Sequence, residues 1–420
     1  MKDICKNVFE TYESEVRSYC RSWPAVFTKA KGSKIYDTDG KEYLDFFSGA
    51  GALNYGHNNE YIKEKLIQYL SDDGIVHGLD MYTTAKLDFI QTFEDSILKP
   101  RGLDYKIQFT GPTGTNAVEA ALKLARKYTG RQTVFALMGA FHGMTLGALA
   151  LTSASGSRAG AGVNLNNVYH VPAPYMFPDM DVLKFVETLL EDEHSGVEKP
   201  AAFVLETVQA EGGVHVIDFE FLRGIRKLCD KHGILLIVDD IQVGCGRTGK
   251  FFSFEHAGVV PDIVTISKSI SAYGLPMSLV LLKPELDVWS PGEHNGTFRG
   301  NQPAFVTAKA GIELMLKDDI INRVAFVGEY INNDLKCFFE NVGLEKQCEV
   351  RGIGLIIGID VHDEELAKKI ASKCFEKGLI IERTGRHSST IKILPPLTTK
   401  LEDIWHGLSI ITNSIQESCE

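Results

Sequence analysis

Two residues whose types suit chemistry stand at the ends of apolar runs. Asp239 closes Gly-Ile-Leu-Leu-Ile-Val (233–238), and Lys268 closes Asp-Ile-Val-Thr-Ile-Ser (262–267). An amine held at the end of a buried strand loses hydration, which lowers its pKa and turns a solvated cation into a nucleophile. A carboxylate similarly placed can hold a cationic heterocycle. One amine and one carboxylate, both at strand ends, is what a pyridoxal phosphate enzyme needs: a Schiff-base lysine and an acidic partner for the pyridinium nitrogen. Taken singly, a lysine after a strand is a solvated strand end, and Asp239-Asp240 is a loop start or helix cap. The other motifs decide between these readings.

Phe109-Thr-Gly-Pro-Thr-Gly-Thr-Asn (109–116) is a Gly/Thr turn running into a strong helix pattern. Free N–H groups and the positive dipole end of such a helix bind anions, with hydroxyls from Thr113 and Thr115 and a backbone that closes at Gly114. An ordinary helix cap uses the same residue types, and the Walker pattern is absent because no Lys-Ser/Thr follows the last glycine. Phe141-His142-Gly143 follows an apolar run; Phe141 can stack on a planar ring or fill core, and His142 reads as a structural histidine before an acid–base group. Glu206-Thr-Val-Gln-Ala-Glu-Gly-Gly (206–213) and Asp239 to Gly249, with Gln242, add carboxylates, an amide and tight turns.

These groups require a scaffold. Strands are predicted at 106–109, 133–138, 168–171, 201–205, 233–238, 262–266 and 277–283. They alternate with helices predicted at 60–71, 84–97, 116–129, 181–192 and 219–231. That alternation predicts an α/β fold with a mainly parallel sheet covered on both faces, whose ligands bind beyond the carboxyl ends of the strands. Residues 5–20 read as a polar helix, 35–47 as a β meander, and 303–340 as one long helix leading into α+β sequence. The division expected is an N-terminal segment (1–55), a large domain (56–305) and a small C-terminal domain (306–420).

A formal charge of −11 and 44% hydrophobic residues exclude nucleic acid and anionic membrane as main partners. Eight scattered cysteines without C-x-x-C spacing predict reduced thiols and no metal site. With no signal-peptide pattern and no long apolar span, the expected location is cytoplasmic.

The assembled motifs resemble the class III (ω-amino acid) aminotransferases of the fold-type I pyridoxal phosphate enzymes. The resemblance runs from Asp37-Thr-Asp-Gly-Lys-Glu-Tyr-Leu-Asp-Phe through Thr113-Gly-Thr, Phe141-His-Gly, Glu206 to Gly213, Asp239 to Gly249 and Ser267-Lys268. It continues through Gly296-Thr297 to Val350-Arg-Gly-Ile-Gly-Leu and Leu394-Pro-Pro-Leu. It implies pyridoxal 5'-phosphate on Lys268, with Asp239 at the ring nitrogen, Phe141 stacked on the ring and Gln242 at its phenolic edge. Gly114 and Thr115 would hold the phosphate with Thr297 of a second subunit, so a homodimer, or a higher assembly of dimers, is implied. Within the family, Gly49-Ala-Gly-Ala-Leu-Asn-Tyr-Gly-His-Asn-Asn and His77-Gly-Leu-Asp-Met-Tyr-Thr-Thr-Ala-Lys are similar to the branch acting on L-2,4-diaminobutyrate and 2-oxoglutarate, the type feeding ectoine biosynthesis. Ornithine, 4-aminobutyrate or a modified diamine is the alternative donor; a racemase, a mutase or a non-catalytic relative is the competing class.

The chain departs from the family pattern in three places. Lys392 stands where an arginine usually precedes the Pro-Pro-Leu run; it is a point charge and cannot form a bidentate fork with a carboxylate. Arg299 stands where many members have glycine, and is expected to share that task. Glu211 is expected to mask Lys392 or Arg299 while an amine binds and to release it for 2-oxoglutarate. The third departure is the stretch 152–177.

Overall fold

The structure, a computed structural model, describes residues 8–419. At its centre lie seven strands: β1 (Lys106–Phe109), β2 (Val134–Leu137), β3 (Val168–Val171), β4 (Ala202–Leu205), β5 (Leu235–Asp239), β6 (Ile263–Ile266) and β7 (Leu279–Leu282). Their spatial order is β1-β7-β6-β5-β4-β2-β3. Only β7 runs against the rest, pairing antiparallel with β6 and β1, while the other neighbours are parallel. The mainly parallel sheet expected from the alternation is therefore present. In β2, β4, β5, β6 and β7 every residue is buried. Helices cover both faces of such a sheet, so these strands are continuous apolar runs rather than alternating ones.

Local signals set the helix ends. Thr83 accepts from the Lys86 amide to begin Thr84–Phe93, and Asp218 accepts from Glu220 to begin Phe219–His232, which stops at left-handed Gly233 (φ 59°). Two expected helices are broken. The polar segment is helical at residues 8–12 and again at Tyr19–Ser22, with turns between; positions 5–7 lie outside the described residues. The long helix divides into Gln302–Lys317 and Ile320–Asn341 at Asp319, whose φ of 48° no continuing helix can accept. Hydrophobic periodicity persists through such a break and cannot reveal it.

The break separates two packing environments. Gln302–Lys317 lies on Glu60–Ser71 and Thr84–Phe93, whereas Ile320–Asn341 lies on Glu349–Ile353. A second sheet joins the ends of the chain, because Leu379–Ile380 pairs in parallel with Glu42–Asp45 of the N-terminal meander. A third holds Glu349–Ile353, Ile356–Asp360, Thr390–Ile393 and Glu382–Thr384. Fully buried Arg247 ties these parts together, donating to Asn54 Oδ1 (2.6 Å), Leu355 O (2.9 Å) and Pro395 O. No helix among the described residues is long and apolar enough to cross a membrane. All seven described cysteines are free.

Candidate active site

A cavity of about 170 Å³ opens beyond the carboxyl ends of β4, β5 and β6. Seven of the ten predicted site residues line it. Gly114, Thr115 and Phe141 form one side, Glu211 and Gln242 another, and Asp239 and Lys268 the strand ends between. The other three lie elsewhere: Lys392 is behind Glu211, and Thr297 and Arg299 are outside the cavity.

Asp239 is the last residue of β5 and is 5% exposed. His142 Nδ1 lies 2.7 Å from its Oδ2. Burial opposes charge on His142, but the hydrogen bond and charge of Asp239 outweigh it and raise the imidazole's pKa. The histidine expected to be structural thus aims the key carboxylate. Its partnership was illegible in sequence because 97 residues separate the two. Asp240 turns the opposite way, to Ser253, whose amide donates at 3.1 Å; burial pushes its carboxyl up to about 7.

Lys268 follows β6 by two residues and adopts φ 53°. A left-handed conformation is costly for a long side chain and collects at functional positions. Burial pushes its amine below the usual lysine range, with Glu211 opposing and Lys392 assisting.

Helix Gly114–Thr129 begins at the cavity, and Thr113 gives its N-terminus no side-chain cap. Thr115 Oγ1 meets Thr145 Oγ1 at 2.6 Å, and Thr145 donates to Glu119 Oε1 at 2.6 Å. Thr145 and Glu119 were missed, although the i,i+4 spacing of Thr115 and Glu119 was a visible hint. The close packing is specific: a Cβ on Gly114 would sit 3.0 Å from Ile241 Cδ1, and one on Gly143 would sit 2.5 Å from Thr115 Oγ1. Phe141 is held through its amide, which donates to Glu206 Oε2 at 3.0 Å. Burial pushes the Glu206 carboxyl up to about 8, His142 opposing.

Behind the cavity sits a charge cluster. Lys392 is fully buried, with Nζ 2.7 Å from Glu211 Oε1 and 2.8 Å from Glu382 Oε2. Gln242 Nε2 donates to Glu211 (3.2 Å) and to Ala50 O (2.9 Å). Tyr19 donates to Glu382 Oε1 at 3.2 Å. Burial works against the Glu211 charge, but Lys392 and Lys268 hold its carboxyl down at about 2. Burial likewise opposes the charge on Lys392, yet the two carboxylates raise its pKa. Glu382 was missed; its only signal is one acid after the apolar run Leu379-Ile-Ile. The expected contact of Glu211 with Lys392 is present, and that with Arg299 is not. Arg299 is hydrogen-bonded to Asp80, on the loop that carries His77 beside Phe298 (ring centroids 5.5 Å). One further acidic group, Glu349, Asp360 and His362, has Arg351 bonded to both carboxylates at 2.8 Å as its counter-charge.

Residues 17–415 match the model of the class III aminotransferases. The chain belongs to that family. As a class III aminotransferase it is a pyridoxal phosphate-dependent transaminase. It is 54% identical over 98% of both chains to a diaminobutyrate–2-oxoglutarate transaminase of Streptomyces coelicolor. It is 52% identical to one of Halalkalibacterium halodurans, over 100% of this chain and 98% of that relative. Among solved structures, a Bacillus anthracis aminotransferase superposes with TM-score 0.87 at 27% identity, covering 99% and 98% of the two chains. The Toxoplasma gondii ornithine aminotransferase does so with TM-score 0.86 at 25% identity, covering 99% and 95%.

The cavity of this class III aminotransferase fits its cofactor on its own geometry. An uncapped helix N-terminus suits the phosphate and a buried carboxylate suits the ring nitrogen. The Oε1 of Gln242 and the Nε2 of His142 are buried without hydrogen-bond partners, and an amine of lowered pKa completes the set.

Proposed function

We propose that this transaminase moves the 4-amino group of L-2,4-diaminobutyrate to 2-oxoglutarate, giving L-aspartate 4-semialdehyde and L-glutamate in two successive half-reactions. The observation that carries this is the identity above 50% over nearly the whole length of relatives bearing that activity. The setting is cytoplasmic, which the free cysteines support, and of the ectoine-biosynthesis type, which the motifs at 49–59 and 77–86 support.

Bound pyridoxal phosphate supplies an electron sink for the carbon that loses its proton. The protein's residues do the rest. Lys268 would hold the cofactor through its amine and, when that amine is free, would move the proton as a general base and acid; its lowered pKa suits both roles. Asp239, oriented by His142, keeps the ring nitrogen protonated. Gly114 and Thr115 would offer amides and a hydroxyl to the phosphate, Phe141 would face the ring, and Gln242 would serve its phenolic oxygen. Glu211 covers Lys392 while the amine is bound; withdrawing it exposes an ammonium to the α-carboxylate of the acid substrate.

Arg299 and Thr297 belong in this reading to the neighbouring subunit's site. Tyr82, Met81 and Phe298 are exposed by 101, 55 and 68%, and the His77–Asn301 bridge docks the loop bearing Thr297 onto this apolar face. Such a patch suits a homodimer interface. The parts of the chain then take separate tasks. The N-terminal segment, from residue 8 to 55, packs with the small domain (306–420) to carry the carboxylate site, and 56–305 hold the cofactor.

The test is glutamate formation from 2-oxoglutarate with a panel of amines. Diaminobutyrate is expected to exceed ornithine, one methylene longer, by roughly 10–200-fold in kcat/KM. A preference for ornithine or 4-aminobutyrate assigns the alternative donor.

A further inference from the structure

The cluster around Lys392 contains more negative charge than an exchange of carboxylates requires. Its cation is one ammonium, fully buried, and two carboxylates lie within 3 Å of it, at 2.7 and 2.8 Å. The two are not equivalent. Glu211 comes from the turn after Val208–Gln209, lines the cavity, keeps 31% side-chain exposure and has Gln242 as a second partner. It can move. Glu382 is the cross-strand neighbour of Lys392 in the register of the small-domain sheet and is 10% exposed. It is fixed.

When a substrate carboxylate replaces Glu211, Lys392 therefore still has Glu382 beside it. Two anions already share that ammonium at rest, and the entering carboxylate adds a further negative charge to a poorly hydrated space, where like charges a few ångströms apart cost several kcal/mol at an effective dielectric of about 20. An arginine would offer separate edges to the two anions, but lysine is a single point charge. The unfavourable charge disappears if one carboxylate takes a proton, and Glu382 has the site for it. Its Oε2 is buried and has no partner besides the Lys392 ammonium at 2.8 Å. Oε1 is engaged separately, by Tyr19.

We propose that Glu382 is a proton-linked positioning residue of the acceptor site: seating a dicarboxylate at Lys392 is accompanied by uptake of one proton from solvent onto Glu382. The inference rests on the reading of Lys392 as the acceptor's carboxylate site. The groups facing Glu382 are Lys392 from Thr390–Ile393, Glu211 from the large domain, and Tyr19 from the N-terminal segment. Lys268 lies within electrostatic reach. Burial pushes the Glu382 carboxyl up, and Lys392 and the Tyr19 hydrogen bond offset that only in part. The added proton makes Oε2 a donor toward the incoming carboxylate, so Glu211 can leave without Lys392 being claimed entirely by Glu382. Amine donors bring no second carboxylate to displace Glu211, and need no such proton.

Titration calorimetry of glutarate, a dicarboxylate that cannot be transaminated, into the holoenzyme in HEPES and in Tris between pH 6.5 and 9 tests this. The wild type is expected to take up a proton on binding, with a Kd that rises by up to about tenfold per pH unit over part of the range. Glu382→Gln should bind glutarate with no uptake and a flat pH profile, and Glu382→Asp should restore both. Tyr19→Phe, at a residue 48% exposed, removes a donor to the ionised carboxylate and should move the profile to higher pH even if Glu382→Gln does not fold. Equal uptake in wild type and Glu382→Gln, a pH-independent wild type, an unmoved profile in Tyr19→Phe, or no glutarate binding by the wild type overturns the proposal. None of these readouts depends on turnover. Failure of the aminotransferase reading shows separately, as absence of glutamate from every amine tried.

Discussion

The cofactor cavity and the Lys392 cluster are adjacent, yet they are built on opposite principles. In the cavity the two decisive groups sit on neighbouring strands: Asp239 ends β5, Lys268 follows β6, and the two strands are paired in register. One sheet fixes both, and two apolar cores, fed by alternate residues of its strands, support it. The cluster is assembled from three distant segments, with Glu211 from the large domain, Glu382 and Lys392 from the small one, and Tyr19 from the N-terminus. Rigid chemistry is placed on the sheet, and the exchangeable charge is placed where parts of the chain meet.

If that contrast is right, the largest loss should come from the cavity. Lys268→Ala is expected to abolish transamination, by at least about 10⁴-fold in kcat, with folding unchanged by circular dichroism. A residual rate above that would break the assignment of Lys268. Asp239→Asn should retain binding but lower kcat by about 10²–10³-fold, and His142→Ala less, in steady-state assays.

The cluster should instead reveal itself in stability. Lys392→Ala leaves two buried carboxylates without a cation and is expected to cost about 3–5 kcal/mol in urea unfolding; Lys392→Met together with Glu211→Gln and Glu382→Gln should recover most of it. A single variant as stable as the wild type would show that the cluster opens to water.

The smallest effect sharpens the boundary between the regions. Glu206 has a folded pKa of about 8 against an ordinary 4.5. The folded state therefore holds its proton more tightly than the unfolded chain. Stability from this group is full below about pH 4.5 and is lost as pH rises toward 8. Glu206→Gln should consequently match the wild type at pH 5 and exceed it by a few kcal/mol or less at pH 8, as read by thermal melts. A difference independent of pH would place the Glu206 proton elsewhere.

Much of the cavity was legible because its signals are local. Apolar runs ending in Asp239 and Lys268, the Gly/Thr turn before Asn116, and Phe141 before His142 each lie within about ten residues of the element that positions them. Helix ends at Thr83 and Gly233 were legible for the same reason. The breaks at residues 13–18 and at Asp319 were not; at Asp319 the amphipathic pattern continues across a single residue of reversed φ. Glu382 and Thr145 were invisible because an isolated Glu or Thr carries no periodicity, and their partners lie far away in sequence.

The sequence by itself therefore determined the alternation of strands and helices, the strand-end amine and carboxylate, and the family. These depend on neighbours in the chain and on the order of motifs. Only the tertiary structure decided that His142 serves Asp239, that Arg299 binds Asp80 rather than Glu211, and that one buried ammonium stands between two carboxylates. Charge–charge energies depend on distance and burial, and both are set by which segments pack together.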